Sequence, residues 1–229
     1  TAQFLAILWP SSAGNLTARY AAAALGAGQP AEAAAYVRHF GARSLQVGGL
    51  LAMGGIGVYL LLEPGHYLES TIVALLILAL SVQTFTRGNL IGLGAFSRNL
   101  FWEITAALLG LVGFFIMLAA GATGAQLLLP YACSFLIHAA ANWPRTQRTS
   151  QLSRQQRNEA DRYVLASALG SVFATGFLQA SMILARSSSS PTEAGYFAAA
   201  LTLATPLTLM TGAISTATIP AIASAWRKQ

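Results

Sequence analysis

The hydrophobic positions of this chain fall in long unbroken runs, not in the alternation of a half-buried strand. Seven stretches are apolar for about the 20 residues that a helix needs to cross a bilayer core. They are Phe4–Leu25, Ser44–Leu62, Ser70–Arg87, Phe101–Ala120, Gly124–Trp143, Tyr163–Arg186 and Gly195–Ala225. A membrane barrel would show shorter, alternating segments of about 10 residues. One long hydrophilic segment, Asn142–Arg162, separates five runs from the last two and carries Arg145, Arg148, Arg154, Arg157 and Arg162. The pattern predicts an all-α integral membrane protein with about seven transmembrane helices and a polar seam after the fifth.

The connections bear on orientation. Gly26–Arg43 carries Arg38 and Arg43, and Arg87–Leu100 carries Arg87 and Arg98; Glu63–Glu69 has acids and no Lys or Arg, and Gly121–Thr123 has no charge. Basic and non-basic connections therefore alternate, with 12 Lys and Arg on one side and Arg186 alone on the other. Lys and Arg are retained on the cytoplasmic side of spanning helices. The expectation is a multi-pass membrane protein, with the start of this chain external and its end cytoplasmic. An odd number of spans with an external start also suggests a missing first helix. Breakers at Glu63-Pro64-Gly65 and Ser187–Pro191, and Trp and Tyr near the run ends, agree with these boundaries.

Composition fits. Charged residues are 9% of the chain and hydrophobic ones 55%, against about 25% charged in a soluble domain. The net charge of +6 reports orientation rather than a nucleic-acid partner, and none is expected. The single Cys133 allows no disulfide framework.

Within the runs, polar residues form stripes at the four-residue spacing that shares a helix face. The first run carries Ser11, Asn15 and Arg19; the sixth Ser167, Ser171, Thr175 and Gln179; the seventh Thr205, Thr208, Thr211, Ser215 and Thr218. The fifth carries Gln126, Ser134, His138 and Asn142 around Pro130, whereas the fourth has almost no polar residue and reads as lipid-facing. Small hydroxyl residues also serve as plain helix–helix contacts. An Arg one or two turns inside a span, such as Arg19, either snorkels to the headgroups or faces a cavity or partner. His138 reads as a hydrogen-bonded packing residue and Glu103 as half of a surface pair, near Arg98. Gly88-x-x-x-Gly92-x-Gly94 reads as a close-packing motif, since no strand precedes it and no Lys follows. The seven acids are scattered, and no zinc spacing, Ser-His-Asp set or phosphate loop appears. No enzyme activity, cofactor or metal is expected.

Three stretches resemble the multidrug/oligosaccharidyl-lipid/polysaccharide exporter superfamily, in particular its bacterial polysaccharide-flippase branch. They are Phe4–Pro10 with Arg19-Tyr20 and the loop Gly26–Ala33; Arg87–Phe96; and Pro191–Ala200 with Pro206 and Ile219-Pro220. The resemblance covers helices two to eight of that family. It implies a two-lobed fold of twelve or more helices, in which residues 1–143 form most of the N-terminal six-helix lobe. Residues 144–162 would be a cytoplasmic inter-lobe linker, and 163–229 the first two helices of the C-terminal lobe. It implies a transporter that flips a polyprenyl-diphosphate-linked oligosaccharide by alternating access. Ser11, Asn15, Arg19, Ser171, Thr175, Gln179, Thr208, Thr211 and Ser215 are the substrate-cavity candidates, with the bilayer, the lipid-linked glycan and cell-envelope polysaccharide enzymes as partners. Many members carry an acid midway along the seventh helix, where this chain has Gln179-Ala-Ser181. A cation-coupled exporter of small organic molecules and a non-transporting, flippase-like scaffold remain as alternatives.

Overall fold

The computed structural model describes residue 10, residues 12–145 and 151–188, and scattered positions beyond; side chains of the last helix are described to residue 173 and at 181 and 184. The described residues are all-helical, without strands: α1 (Ser12–Gly26), α2 (Pro30–Leu62), α3 (Tyr67–Gly92), α4 (Phe96–Ala119), a short 3-10 turn (Gly124–Leu128), α5 (Leu129–Asn142) and α6 (Arg154–Ser188). Four of these are long and apolar enough to cross a membrane: α2, α3, α4, and the 3-10 turn continued by α5. Only scattered positions of the seventh predicted run are described.

Local chemistry sets the boundaries. Pro30 opens α2 and Pro130 lies in the first turn of α5, where a missing N–H costs nothing. Glu32 and Glu69 sit in the first turns of α2 and α3, against the positive end of the helix dipole. Three helices stop in the same way. Beyond α1, Gly28 has φ of 72° and its N–H donates to Leu25 O, while that of Gln29 donates to Ala24 O. Gly94 and Gly121 repeat the pattern after α3 and α4. This closure satisfies the last carbonyls and needs a left-handed residue, which glycine adopts without strain. Helix α6 opens on a capping box. Ser153 Oγ accepts from Gln156 N at 3.1 Å, and Gln156 Oε1 accepts from Ser153 N at 2.9 Å.

Two helices overrun their predicted spans by two turns or more. The sequence predicts a connection over Gly26–Arg43, but Pro30–Arg43 is the first part of α2. At about 1.5 Å per residue, 33 residues extend about 50 Å, well beyond a hydrocarbon core of about 30 Å. The polar seam is likewise helical from Arg154 onward. A hydrophobic pattern marks where a helix enters apolar surroundings, not where its backbone hydrogen bonding ends.

Helix α3 is the hub, packed against α1, α2, α4 and α5. Its crossing with α1 is backbone on backbone. A Cβ on Gly88 would lie 2.1 Å from Gly14 O, one on Gly92 would lie 2.7 Å from Ala18 Cα, and one on Gly14 would lie 2.6 Å from Thr84 O. The glycine pair read as a packing motif is therefore that. Small residues repeat the device elsewhere: Gly48 meets Ser81 and Gly55 meets Ile77 between α2 and α3, and Gly110 and Gly113 meet Tyr131 and Pro130 between α4 and α5. Where there is no apolar-burial drive between helices in lipid, such close approach is what holds them together. Helix α4 buries only Ala106 and Gly110 and exposes Leu108, Val112, Phe115 and Ile116 among others, as a lipid-facing helix would.

The two ends of the bundle differ. At one end, Tyr20, Tyr36, Phe40, Phe85 and Trp143 pack with Leu152, Ala160 and Val164 into an aromatic core. Tyr20 stacks on Tyr36 with ring centroids 4.8 Å apart, and Phe85 meets Trp143 at 5.4 Å. The connections after α1, α3 and α5 all lie at this end. At the other end, the Tyr59 hydroxyl donates to Glu69, which also approaches Gly124.

Gly88→Leu is expected to destabilise the bundle by about 1–3 kcal/mol or more, the range typical of overpacking, because backbone rather than a side-chain tip stands in the way. Gly49→Leu, which meets nothing within 4 Å, is the matched control. Unfolding in mild detergent against rising SDS measures both.

Candidate functional site

Within α1, the described part of the first run's polar stripe forms a distinct face. Ala13, Gly14, Leu16, Thr17 and Ala18 are buried, whereas Asn15 and Arg19 are exposed one turn apart. The inner side of α1 is committed to α3 through Gly14 and Ala18, so these two polar side chains stand on the uncommitted side. Thr17 donates to Ala13 O at 2.6 Å and is internal packing.

Helix α6 comes against α1. Tyr20 lies within electrostatic reach of Arg19 on its own helix and of Glu159 and Tyr163 on α6. Along α6 runs an open cleft of about 910 Å³ whose described lining is Arg154, Gln155, Asn158, Glu159, Arg162, Tyr163 and Ala166. Ser171 is half-buried on the same helix. Thr175 and Gln179 are within α6, but their side chains lie outside the described residues, as do Ser11, Thr208, Thr211 and Ser215. The structure thus brings together the helices carrying Asn15, Arg19 and Ser171.

The contacts that join α6 to the bundle are not among those the sequence predicts. His39 Nε2 lies 2.8 Å from Asp161 Oδ1, Arg43 Nη2 donates to Asp161 Oδ2 at 3.1 Å, and Gln156 Nε2 donates to Glu32 Oε1 at 3.2 Å. Asp161 therefore holds two basic side chains of α2 at once. Part of the signal is in the sequence: Ser153-x-x-Gln156 is a readable helix start, which would place Gln156 and Asp161 on a helix. Two further clefts open at this end. One of about 530 Å³ lies under the connections and is lined by Pro30, Asn89, Arg98, Asn142, Trp143 and Arg145 among others; one of about 410 Å³ adjoins Arg43, Arg154 and Arg157. Every one of the three presents arginine.

A second polar cluster lies between α3, α4 and α5. The Ser134, His138 and Asn142 ladder faces inward and is buried, so the fifth span's stripe is helix packing. Glu103 does not pair with Arg98. Its Oε1 accepts from Gln83 Nε2 at 2.9 Å and lies 3.6 Å from Arg87 Nε. Arg98 instead donates from Nε to Asn142 Oδ1 at 3.0 Å and from Nη2 to Ala141 O at 3.1 Å, closing the end of α5. Sequence neighbours on a helix compete with partners on facing helices, and here the facing helices win. His138 is buried with Nδ1 3.4 Å from Thr86 Oγ1, as a hydrogen-bonded packing residue would be, but its Nε2 has no hydrogen-bond partner. Among the described residues, no group of three or more His, Cys, Asp and Glu is placed to hold a metal ion.

No family model matches the chain, and neither a curated protein nor a solved structure matches it.

Asp161→Asn is expected to cost on the order of 1 kcal/mol, since its partners are part-exposed and screened. It should speed amide exchange over Arg154–Tyr163 while leaving α3 protected. Hydrogen–deuterium exchange resolves the two regions.

Proposed function

We propose that this chain is part of a membrane transporter that flips a polyprenyl-diphosphate-linked oligosaccharide across the bacterial cytoplasmic membrane, for assembly of cell-surface polysaccharide. The observation that carries the reading is the exposed Asn15–Arg19 face. A spanning helix does not leave an arginine and an amide uncovered toward lipid tails, because each is expensive there. A face that is polar, uncommitted to the bundle and beside α6 suits the wall of a water-filled cavity between lobes.

In that cavity Arg19 would meet the diphosphate charge. Asn15, Gln179 and the Ser and Thr hydroxyls of the later helices would bond to sugar hydroxyls. The segregation of arginine to one end supports an orientation with that end cytoplasmic. There Arg98, Arg145, Arg154, Arg157 and Arg162 would lie against anionic headgroups, worth about 1 kcal/mol for each basic residue near the surface. Alternating access would change how α6 and the rest of its lobe sit against α1–α5, and the Asp161 contacts with His39 and Arg43 are then the cytoplasmic joint between them.

A second reading, a cation-coupled exporter of small organic molecules, is favoured by one observation: Glu103 lies part-buried between α3, α4 and α5 rather than free on the surface. Sodium- or proton-driven efflux of small organic cations with no glycan phenotype would select it.

Arg19→Ala in the complete protein is expected to lower glycan translocation at least tenfold while the protein still inserts and folds, and Arg19→Lys to retain part of it. Unchanged translocation and unchanged binding of the lipid-linked substrate in Arg19→Ala would remove Arg19 from the site.

A further inference from the structure

His138 and Glu103 face each other across a gap too long for a hydrogen bond. His138 is fully buried, at 0% side-chain exposure, and its Nε2 lies 4.0 Å from Glu103 Oε1. On the other side of the ring, Nδ1 lies 3.4 Å from Thr86 Oγ1. The Thr86 hydroxyl donates its own hydrogen to Gln83 O at 2.9 Å, so toward His138 it is an acceptor. Opposite Nε2 stands a carboxylate oxygen, also an acceptor, which already accepts from Gln83 Nε2 at 2.9 Å. The neutral ring has one hydrogen for these two acceptors: on Nδ1 it meets Thr86 and leaves Nε2 bare towards Glu103, and on Nε2 it meets the carboxylate and leaves Nδ1 bare towards Thr86. In either tautomer one buried ring nitrogen lacks a donor, which is costly. One added hydrogen removes the conflict.

We infer that Glu103 and His138 together form a binding site for a single proton, placed at the junction of α3, α4 and α5. Proton uptake gives both sides of the ring a hydrogen and makes one charge-assisted hydrogen bond between the pair, either N–H donating to carboxylate or O–H donating to imidazole, and the proton belongs to the pair rather than to one residue. The proton comes from bulk water through the part-exposed Glu103 side chain, 31% of which is accessible. The cluster then goes from neutral to a net charge of one. The groups facing the pair are Gln83, Thr86 and Arg87 from α3. Arg98 of α4 is held away from it on Asn142 and Ala141, one turn along α5. Among the described residues, Arg87 is the single charged neighbour. It is about half exposed and lies 3.6 Å from the same carboxylate oxygen, so it can swing toward water as the proton enters.

The mechanical consequence is a new bond between α4 and α5, added to the hydrogen bonds that Arg98 makes to Asn142 and Ala141 and to the glycine contacts. This site is separate from the Arg19 face and does not depend on the substrate assigned to it. It would supply a proton-responsive element within α1–α5.

The test uses the complete protein in lipid nanodiscs, with two readouts between about pH 8 and pH 5. Nitrogen-labelled histidine NMR reads the imidazolium of His138, with His39→Gln and His66→Gln used to assign it among three histidines. Infrared spectroscopy reads the carbonyl stretch of a protonated carboxylic acid. The expected result is one reversible protonation step seen as the His138 imidazolium, the Glu103 carboxylic acid, or both in part. In Glu103→Gln, whose amide can donate to Nε2 permanently, the step is lost from both readouts. A wild-type protein in which neither signal changes overturns the inference without any variant. So does a His138 step that persists unaltered in Glu103→Gln.

Discussion

Among the described glycines, the tightest approach is the passage of α1 over α3, where Gly14 and Ala18 lie against Thr84, Gly88 and Gly92. In lipid the apolar effect does little to drive helices together, so association relies on close packing and on polar groups satisfied inside the bundle. Glycine makes that approach possible because it has no Cβ to hold the backbones apart. Its consequence reaches beyond packing. By spending one face of α1 on α3, the crossing decides that Asn15 and Arg19 stand on another, where α6 arrives.

The second organising feature is the difference between the two ends. The arginine-rich end is thickened by the helical overruns of α2 and α6, which meet through Asp161 and cover an aromatic core. At the opposite end the Tyr59 hydroxyl donates to Glu69. On the membrane reading, the basic end is where the chain would meet anionic headgroups and where movement of α6 relative to the bundle would be controlled. Coupling there would pass through a small set of contacts: Asp161 with His39 and Arg43, and Gln156 with Glu32. Lateral contacts between α4 and α5 are a separate matter, and the Glu103–His138 pair sits on those.

Much of this is legible in the sequence, for identifiable reasons. Continuous apolar runs can satisfy their backbone in a membrane only as helices, so helix number and order over the first five runs follow directly. The small-residue spacing at Gly88 and Gly92 carries the α1–α3 crossing, and the paucity of polar residues in the fourth run carries its outward face. The rest depends on the third dimension or on polar helix. Pro30–Arg43 and Arg154–Arg162 are helical without being apolar, so hydropathy does not extend into them; the Ser153–Gln156 capping box does. The sequence points Glu103 at Arg98 because the two are near along the chain, whereas Arg87 and Gln83 are near across the helix interface. The unsatisfied nitrogen of His138 has no sequence signature at all, since it depends on Thr86 having already committed its hydrogen.

The central claim is that the Asn15–Arg19 face of α1 borders water rather than lipid. The most direct measurement is labelling of single-cysteine variants by a membrane-impermeant maleimide in intact membranes, with Cys133 replaced by Ser. Cysteines at positions 15 and 19 should react, and cysteines at the exposed apolar positions 108 and 115 of α4 should not. If positions 15 and 19 are as unreactive as those two, α1 faces lipid or a dry interface, and the cavity reading is contradicted.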